Sequence, residues 1–197
     1  MIMLRPLVFL LAVWLLCNLS EVSAERYLTS GEVRKILFPT ATRFEERTFH
    51  FKSSDISAIQ KASGIPVKNL GNRVILAFLD EKLLGVVILD YVLGKHELID
   101  YAVAISPEGK VIQTEILEYR ESHGGEVRGA KWREQFVGKS AADKLRLNAD
   151  IYNISGATIS CRNVTDGIKR LLATYNLVVH PALVAARELP PATSPAP

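Results

Sequence analysis

Cysteine is nearly absent from this chain, which has only Cys17 and Cys161 among its 197 residues. Cys17 lies in an N-terminal apolar run that we expect to be removed, which leaves Cys161 as the single cysteine of the mature protein. One thiol excludes an intramolecular disulfide. We therefore expect the fold to be held by its hydrophobic core alone, with Cys161 as a small buried residue rather than a reactive thiol.

Several functional signatures are also missing. No Gly-x-Gly-x-x-Gly fingerprint follows a strand, so a dinucleotide site is not indicated. The four histidines are scattered and form neither a metal-ligand spacing nor a Ser/His/Asp arrangement. The net charge of +3 is spread along the chain, without a basic stripe. These absences argue against a set of catalytic residues, a metal centre and nucleic-acid binding.

The chain begins with the pattern of a secretory signal peptide. Arg5 supplies a positive charge, Leu7 to Cys17 is an almost unbroken apolar run of 11 residues, and Val22-Ser23-Ala24 resembles a cleavage site. The apolar run is short for a membrane span, which needs about 20 residues. We predict that residues 1–24 are cleaved and that the protein is exported to the periplasm. An uncleaved N-terminal anchor is the alternative.

The remainder has the composition of one globular domain. The whole chain is 48% hydrophobic and 23% charged, which is ordinary for a protein with a domain that has its own core. We assign residues 25–177 to this domain. Residues 178–197 are assigned to a Pro/Ala-rich tail that we expect to be disordered from about residue 188.

Periodicity and turn signals predict an α+β domain. Two short helices come first, Tyr27–Leu37 with a Thr29/Glu32 capping box, and Ser54–Ser63. Phe49 and Phe51 alternate with polar residues, as on an edge strand. Four further strands joined by short turns then predict an antiparallel sheet built from consecutive hairpins. Those strands are Arg73–Leu79, Leu83–Leu93, Leu98–Ile105 and Lys110–Leu117.

The second half of the chain is predicted to be mainly helical. Short helices are expected over Ala130–Val137 and Ala141–Leu147, and a C-terminal amphipathic helix over Cys161–Tyr175. The polar, glycine-bearing stretch 118–126 is expected to be a loop that lies over a site.

The stretch Asp150–Ser160, DIYNISGATIS, places a Gly-Ala-Thr turn at the N-terminus of the last helix. Such a position presents unpaired N–H groups and the positive end of the helix dipole to an anion. Gly156 and Ala157 let the backbone approach closely, and Thr158 supplies a hydroxyl. The turn therefore suits a phosphate, and an ordinary helix N-cap is the alternative. Arg162 and Lys169 are expected within reach for charge pairing.

The stretch SGATIS, with Asp150 before it and NVTDGIKRLL after it, resembles the FMN-binding domain family. That family includes the flavin-carrying subunits of the Rnf and sodium-translocating NADH:quinone reductase complexes. The stretch EYRESHGGEVRGAKWREQFVGKS, the pair Phe38-Pro39 and the central hairpins are similar to small exported members. The resemblance covers roughly Tyr27 to Asn176, and it departs at Cys161, where a serine is more usual.

This resemblance implies a cofactor and a way of attaching it. In the family, a flavin transferase uses FAD and Mg²⁺ to link FMN to the threonine of the motif through a phosphoester. Thr158 corresponds to that threonine, and Asp150 corresponds to an upstream acidic residue that the transferase recognises. The implied fold is a small α+β domain with a curved antiparallel sheet of about four to six strands. The implied role is an electron carrier, rather than a turnover enzyme, with a membrane or periplasmic redox partner.

The other candidate residues are those expected to contact or cover the FMN. The motif and the first helical turn contribute Ser155, Gly156, Ala157, Ile159 and Ser160. The loop 121–126 and the following segment contribute His123, Gly124, Gly125 and Trp132, and His123 is alternatively a solvated loop residue. Two other functions stay open: a reductase that binds FMN without a covalent bond, and a non-redox periplasmic binding module.

Overall fold

The computed structural model describes residues 25–26 and 28–189. The predicted signal peptide lies outside these residues, as does the end of the chain from residue 190. In the described part of the chain, no helix is both long enough and apolar enough to cross a bilayer.

An antiparallel sheet of six strands forms the centre of the domain. Its strands are β1 (Glu25–Arg26), β2 (Arg43–His50), β3 (Gly71–Leu79), β4 (Lys82–Leu93), β5 (Leu98–Ile105) and β6 (Val111–Tyr119). Their spatial order is β1-β6-β5-β4-β3-β2, so the strands from β2 to β6 form a meander and the two-residue β1 pairs with β6. The predicted hairpins and the α+β class are therefore confirmed, with β2 as an edge strand.

Helices cover the sheet and its ends. They are α1 (Ser30–Leu37), α2 (Ser53–Ser63), α3 (Ala130–Arg133), α4 (Thr158–Thr174) and α5 (His180–Ala185). The predicted capping box at α1 is confirmed, since Glu32 N donates to Thr29 Oγ1 over 3.2 Å and Thr29 N donates to Glu32 Oε2 over 2.8 Å. A π-helical turn, Tyr175–Val179, joins α4 to α5 into one continuous helical segment.

The two faces of the sheet form separate hydrophobic cores, because successive side chains of a strand point to opposite faces. The larger core lies between the sheet and α4, and includes Val74, Ile88, Val103, Ile168 and Leu171. The smaller core lies beneath α1, and includes Val33, Leu37, Ile75 and Val87. Burial of each such side chain stabilises the fold by about 1.5–3 kcal/mol.

A buried ion pair connects α4 to the sheet. Arg170 Nη2 lies 2.7 Å from Asp90 Oδ2, and the Asp90 side chain is 1% exposed. Tyr101 Oη donates to the same carboxylate oxygen over 2.9 Å, and Asn69 Nδ2 donates to Oδ1 over 2.8 Å. Burial, and then the Asp90 charge, raise the pKa of Tyr101 well above its usual value, so its hydroxyl stays a donor. Both carboxylate oxygens are thus satisfied, as a buried charge requires.

The helix predicted over Ala141–Leu147 is wrong. This stretch forms turns, and Leu145 and Asn148 have left-handed φ angles of 44° and 61°. The carboxylate of Asp150 accepts hydrogen bonds from Leu145 N over 3.1 Å and from Arg146 N over 2.8 Å. In a helix those N–H groups would bond carbonyls four residues earlier, so Asp150 replaces the helical bonds.

The chain beyond residue 177 is packed against the domain. Leu183 and Leu189 are buried in the larger core, and Glu188 Oε1 lies 2.6 Å from Arg47 Nη2 on β2. The domain boundary predicted at residue 177 therefore falls inside a continuous helical segment, and residues 178–189 belong to the domain. The apolar spacing of Val179 and Leu183 on one helical face explains this packing.

Candidate functional site

Thr158 is the first residue of α4, so the Gly-Ala-Thr turn lies at a helix N-terminus as predicted. The N-cap, Ala157, makes no side-chain capping bond, and the first N–H groups of a helix have no intrahelical partner. Gly156 has a φ of 86°, and a Cβ added there would meet nothing within 4 Å. The turn is therefore open on one side and favours an anion there.

Asn153 determines the direction of the threonine hydroxyl. Its Nδ2 donates to Thr158 Oγ1 over 2.9 Å. The other end of the same carboxamide, Oδ1, is buried without a hydrogen-bond partner among the described residues. Thr158 is itself half-buried, so its hydroxyl is held at the edge of the open space.

A pocket of about 390 Å³ opens beside Thr158. Three separate segments form its walls: the start of α4, the loop after β6, and the turn between β4 and β5. The lining residues are Lys95, His96, Glu121, Ser122, His123 and residues 156–160. Lys95 adds a positive charge opposite the helix N-terminus, and both favour a phosphate. The volume lies within the range of small-molecule sites.

Hydrogen bonds to the main chain hold the β4–β5 turn in this place. Glu121 Oε1 accepts from His96 N over 2.5 Å and from Glu97 N over 3.0 Å. Burial raises the pKa of the Glu121 carboxyl, but these N–H bonds outweigh burial and the net pKa is lowered. Asn163 Nδ2 of α4 donates to Leu93 O over 2.6 Å. The turn is thus fixed to both of the other walls.

Tyr119 fixes the loop after β6 against α4. Its hydroxyl donates to His123 O over 2.6 Å and shares a hydrogen bond with Ser160 Oγ over 3.0 Å. Burial raises the pKa of Tyr119, with the Ser160 bond opposing it, so the phenol stays protonated. A Cβ at Gly124 would lie 2.9 Å from Tyr119 Oη and 3.3 Å from Ala157 Cα. A glycine at position 124, with its φ of 83°, permits this close approach.

The structure brings together most of the predicted cofactor residues. Gly156, Ala157, Thr158, Ile159, Ser160 and His123 all line the pocket. Ser155 is exposed in the turn just before them, and Gly124 packs behind Ala157. Gly125 begins a 3-10 turn and contacts the guanidinium of Arg128 instead.

Trp132 does not line the pocket. It is 5% exposed and packs edge-on against Phe136, with ring centroids 5.1 Å apart. Its Nε1 donates to Tyr152 O over 2.8 Å, and Gln135 Oε1 accepts from Tyr152 N over 2.6 Å. Trp132 therefore supports the backbone that leads into the motif, while Tyr152 projects its ring outward at 82% exposure.

Asp150 holds the segment before the motif through hydrogen bonds and an ion pair. Besides the two N–H bonds from Leu145 and Arg146, its Oδ2 lies 3.3 Å from Lys139 Nζ. Burial opposes ionisation of this carboxyl, but the N–H bonds of Arg146 and Leu145 lower its pKa overall. These contacts make Asp150 a brace for the preceding turn. The role in transferase recognition stays a prediction.

Sequence reasoning missed three residues of the site: Lys95, His96 and Asn153. It favoured Arg162 and Lys169 as the cations near the phosphate, and neither lines the pocket. Lys169 lies eleven residues along α4 from Thr158, which is about 16 Å of helix axis. Nothing in the sequence indicated that the β4–β5 turn reaches the start of α4, whereas Asn153 was detectable as an amide close to the threonine.

A larger groove of about 640 Å³ lies on the α1 side of the sheet. Leu28, Arg73, Leu89, Tyr91 and Leu117 contribute to its walls, and none of the predicted cofactor residues lines it. No described cluster of His, Cys, Asp and Glu side chains has the arrangement of a metal site. The pocket beside Thr158 combines a hydroxyl and a cation with a helix N-terminus that no side chain caps, whereas the helix N-terminus at the larger groove is closed by the Thr29/Glu32 capping box.

Comparison with known proteins points to the same region. Residues 94–173 match the model of the FMN-binding domain family. No curated protein matches the chain. Among solved structures, the fold is similar to that of Shewanella oneidensis NqrC, with a TM-score of 0.54, 18% identity, and coverage of 80% of this chain and 90% of that chain. All walls of the Thr158 pocket lie within residues 94–173, the segment that matches the FMN-binding domain model.

Proposed function

We propose that this chain is an exported electron-transfer flavoprotein that carries FMN as a phosphoester on Thr158. An FAD-dependent flavin transferase attaches the cofactor. The FMN-binding domain of residues 94–173 supports the cofactor. The single observation that supports the attachment point is the Thr158 hydroxyl, held by Asn153 at a helix N-terminus that no side chain caps.

The residues around Thr158 suit this group. The open space over Gly156 leaves room for a phosphate, and the N–H groups of Ile159 and Ser160 belong to the first turn of α4, which no side chain caps. Lys95 and His96 supply polar groups on the opposite wall. When bound, FMN supplies one- and two-electron redox chemistry. Thr158 and Ile159 are accessible at the surface, which suits electron exchange with a membrane or periplasmic partner protein.

The N-terminal pattern supports export. Arg5, the apolar run and the small residues up to Ala24 have the order of a cleavable signal peptide. An exported chain with Cys161 as its single remaining thiol needs no disulfide chemistry to fold.

An intact-mass spectrum of the full chain, co-expressed with a flavin transferase and exported, tests both the cleavage of the signal peptide and the attachment of FMN. We expect the loss of residues 1–24 and a gain equal to FMN minus water, with flavin fluorescence that survives denaturation. Thr158→Ala should abolish the mass gain. Thr48→Ala, which alters an exposed threonine on the edge strand β2, is the matched control and should retain it.

The other outcomes separate the alternatives. A mass gain retained in Thr158→Ala contradicts the attachment point. Flavin that is released by denaturation favours non-covalent binding, as in a reductase. No flavin on the wild-type chain, even with the transferase present, favours a non-redox binding module.

A further inference from the structure

Asn153 makes an unusual contact with the threonine hydroxyl. Its Nδ2 donates over 2.9 Å to the hydroxyl oxygen of Thr158, five residues further along the chain. Its Oδ1 is buried and has no hydrogen-bond partner within the described residues. Most buried polar atoms in proteins are paired. The unused end of this carboxamide therefore requires an explanation.

A carboxamide carries an acceptor and a donor of nearly the same shape, and a half-turn about χ2 exchanges them. In the reversed orientation, Oδ1 occupies the position next to Thr158 Oγ1 and accepts the hydroxyl proton. A free hydroxyl can donate or accept, whereas an esterified oxygen has lost its proton and can only accept. The direction of this hydrogen bond therefore depends on whether Thr158 is esterified.

We propose that Asn153 orients the Thr158 hydroxyl for attachment of the flavin phosphate. The carboxamide first turns from the orientation in the structure, so that Oδ1 accepts the hydroxyl proton before the reaction. It then returns to the orientation in the structure, in which Nδ2 donates to the oxygen that is now esterified. This inference rests on the function proposed above. It assigns to Asn153 a contact with the reacting atom itself.

The reaction is a group transfer in which no electrons change hands. Thr158 Oγ1 forms a bond to the flavin-side phosphorus of FAD, the phosphoanhydride bond breaks, and AMP leaves. The hydroxyl proton passes to a base of the transferase or to water. When the O–H bond points to Oδ1, a lone pair of Oγ1 points away from Asn153, toward the pocket that Thr158 lines. Misplacement of a reacting atom by about 1 Å costs on the order of 100-fold in rate.

Hydrogen bonds on both sides of Asn153 fix the backbone from which its side chain reaches Thr158. Trp132 Nε1 and Gln135 Oε1 bond the carbonyl and the N–H of the preceding residue, Tyr152. On the other side, Ala157 N donates to Ile154 O over 3.1 Å. The amide is therefore presented to Thr158 from a braced turn.

The test measures attachment kinetics on the full chain with purified transferase, FAD and Mg²⁺, using intact mass to count the product. Asn153→Leu keeps much of the side-chain volume and removes both hydrogen-bonding ends, and Asn153→Ala is the second variant. The control is Gln60→Ala, which removes an exposed amide from α2. Thermal melting sets a temperature at which every variant is folded.

We expect kcat for attachment to fall by about 10- to 100-fold in both Asn153 variants. KM for the acceptor protein should change by less than about twofold, because the half-buried Asn153 side chain leaves little surface for the transferase to contact. Gln60→Ala should match the wild type. A wild-type kcat in Asn153→Leu, or a defect confined to KM, would overturn the inference. No attachment to the wild type would instead contradict the proposed function.

Discussion

The helix α4 has opposite surroundings at its start and at its middle. At Thr158 no side chain caps the first backbone N–H groups, and the side chain of Asn153 contacts the hydroxyl. Three turns later, Arg170 is held by the buried carboxylate of Asp90, and Gly167 packs directly on the ring of Tyr101. The start of the helix is accessible, and the middle is closely packed.

The difference shows how an open site is kept rigid. A helix N-terminus without a capping side chain is a weak point, because its orphan N–H groups depend on water or a ligand. Here the buried middle of α4 fixes the helix axis. The position of the Thr158 backbone is therefore fixed by packing outside the pocket, while Asn153 orients its hydroxyl. This separation predicts that substitutions at the middle act on stability, whereas those at the start act on attachment.

The largest effect is expected from Asp90→Ala. It removes the ion-pair partner of Arg170, whose side chain is 14% exposed, and it removes the acceptor of Tyr101. Loss of one partner of a buried pair costs about 3–5 kcal/mol, measurable by denaturant unfolding. Asp100→Ala is the control, since its pair with Arg120 lies nearer the surface and should cost less than about 1 kcal/mol. Equal losses in the two variants would show that α4 is not anchored at Asp90.

Two glycine substitutions sharpen the contrast. A Cβ at Gly167 would lie 2.2 Å from Tyr101 Oη and 2.9 Å from Cζ, so Gly167→Ala should cost about 1–3 kcal/mol by overpacking. Gly156→Ala meets open space and pays only for a left-handed φ, about 1 kcal/mol. Near-ultraviolet circular dichroism should change in Gly167→Ala, where tyrosine packing is disturbed, and not in Gly156→Ala. A larger loss of stability in Gly156→Ala than in Gly167→Ala would contradict the contrast between the open start and the packed middle of α4.

The smallest effect is expected from the pH dependence of Asp150. Its folded pKa lies below the value of the unfolded chain, near 3.8, so its contacts stabilise the fold above that pH. The contribution is lost as pH falls through the folded pKa. Asp150→Asn should therefore be less stable than the wild type by about 1 kcal/mol at pH 7, and the difference should vanish in acid. A difference that persists at pH 2 would mean that the carboxylate charge is not its source.

Local patterns in the sequence predicted most of the fold. The capping box at Thr29, the turns between hairpins and the spacing of Ile168 and Leu171 each act over a few residues, and each is present in the structure. The helix expected over Ala141–Leu147 does not form, because the carboxylate of Asp150, outside that stretch, accepts hydrogen bonds from Leu145 N and Arg146 N. The spacing of apolar residues does not reveal a side chain that competes for the backbone N–H groups in this way.

The part of the site that the sequence predicted is the Gly-Ala-Thr stretch at the start of α4, together with His123 of the loop after β6. Thr158 and its neighbours were found because the motif is contiguous, whereas Lys95 and His96 reach the pocket through the register of β4 and β5. Trp132 was expected to cover the cofactor. Its indole N–H instead found an internal acceptor at Tyr152 O. An indole N–H can bond either a cofactor or solvent at the surface or a main-chain carbonyl inside the fold, and the sequence alone does not distinguish these two arrangements.

The contacts that close the pocket have a consequence for how its chemistry can vary. Glu121 and Asn163 bond main-chain atoms of the β4–β5 turn, and Tyr119 bonds a main-chain carbonyl of the loop. Within residues 28–189, the hydrogen bonds that hold the turn come from its main chain rather than from the side chains of Lys95 and His96. Polarity at these positions can therefore be exchanged while the shape of the pocket is retained, so the charge beside Thr158 can change without a change in the fold.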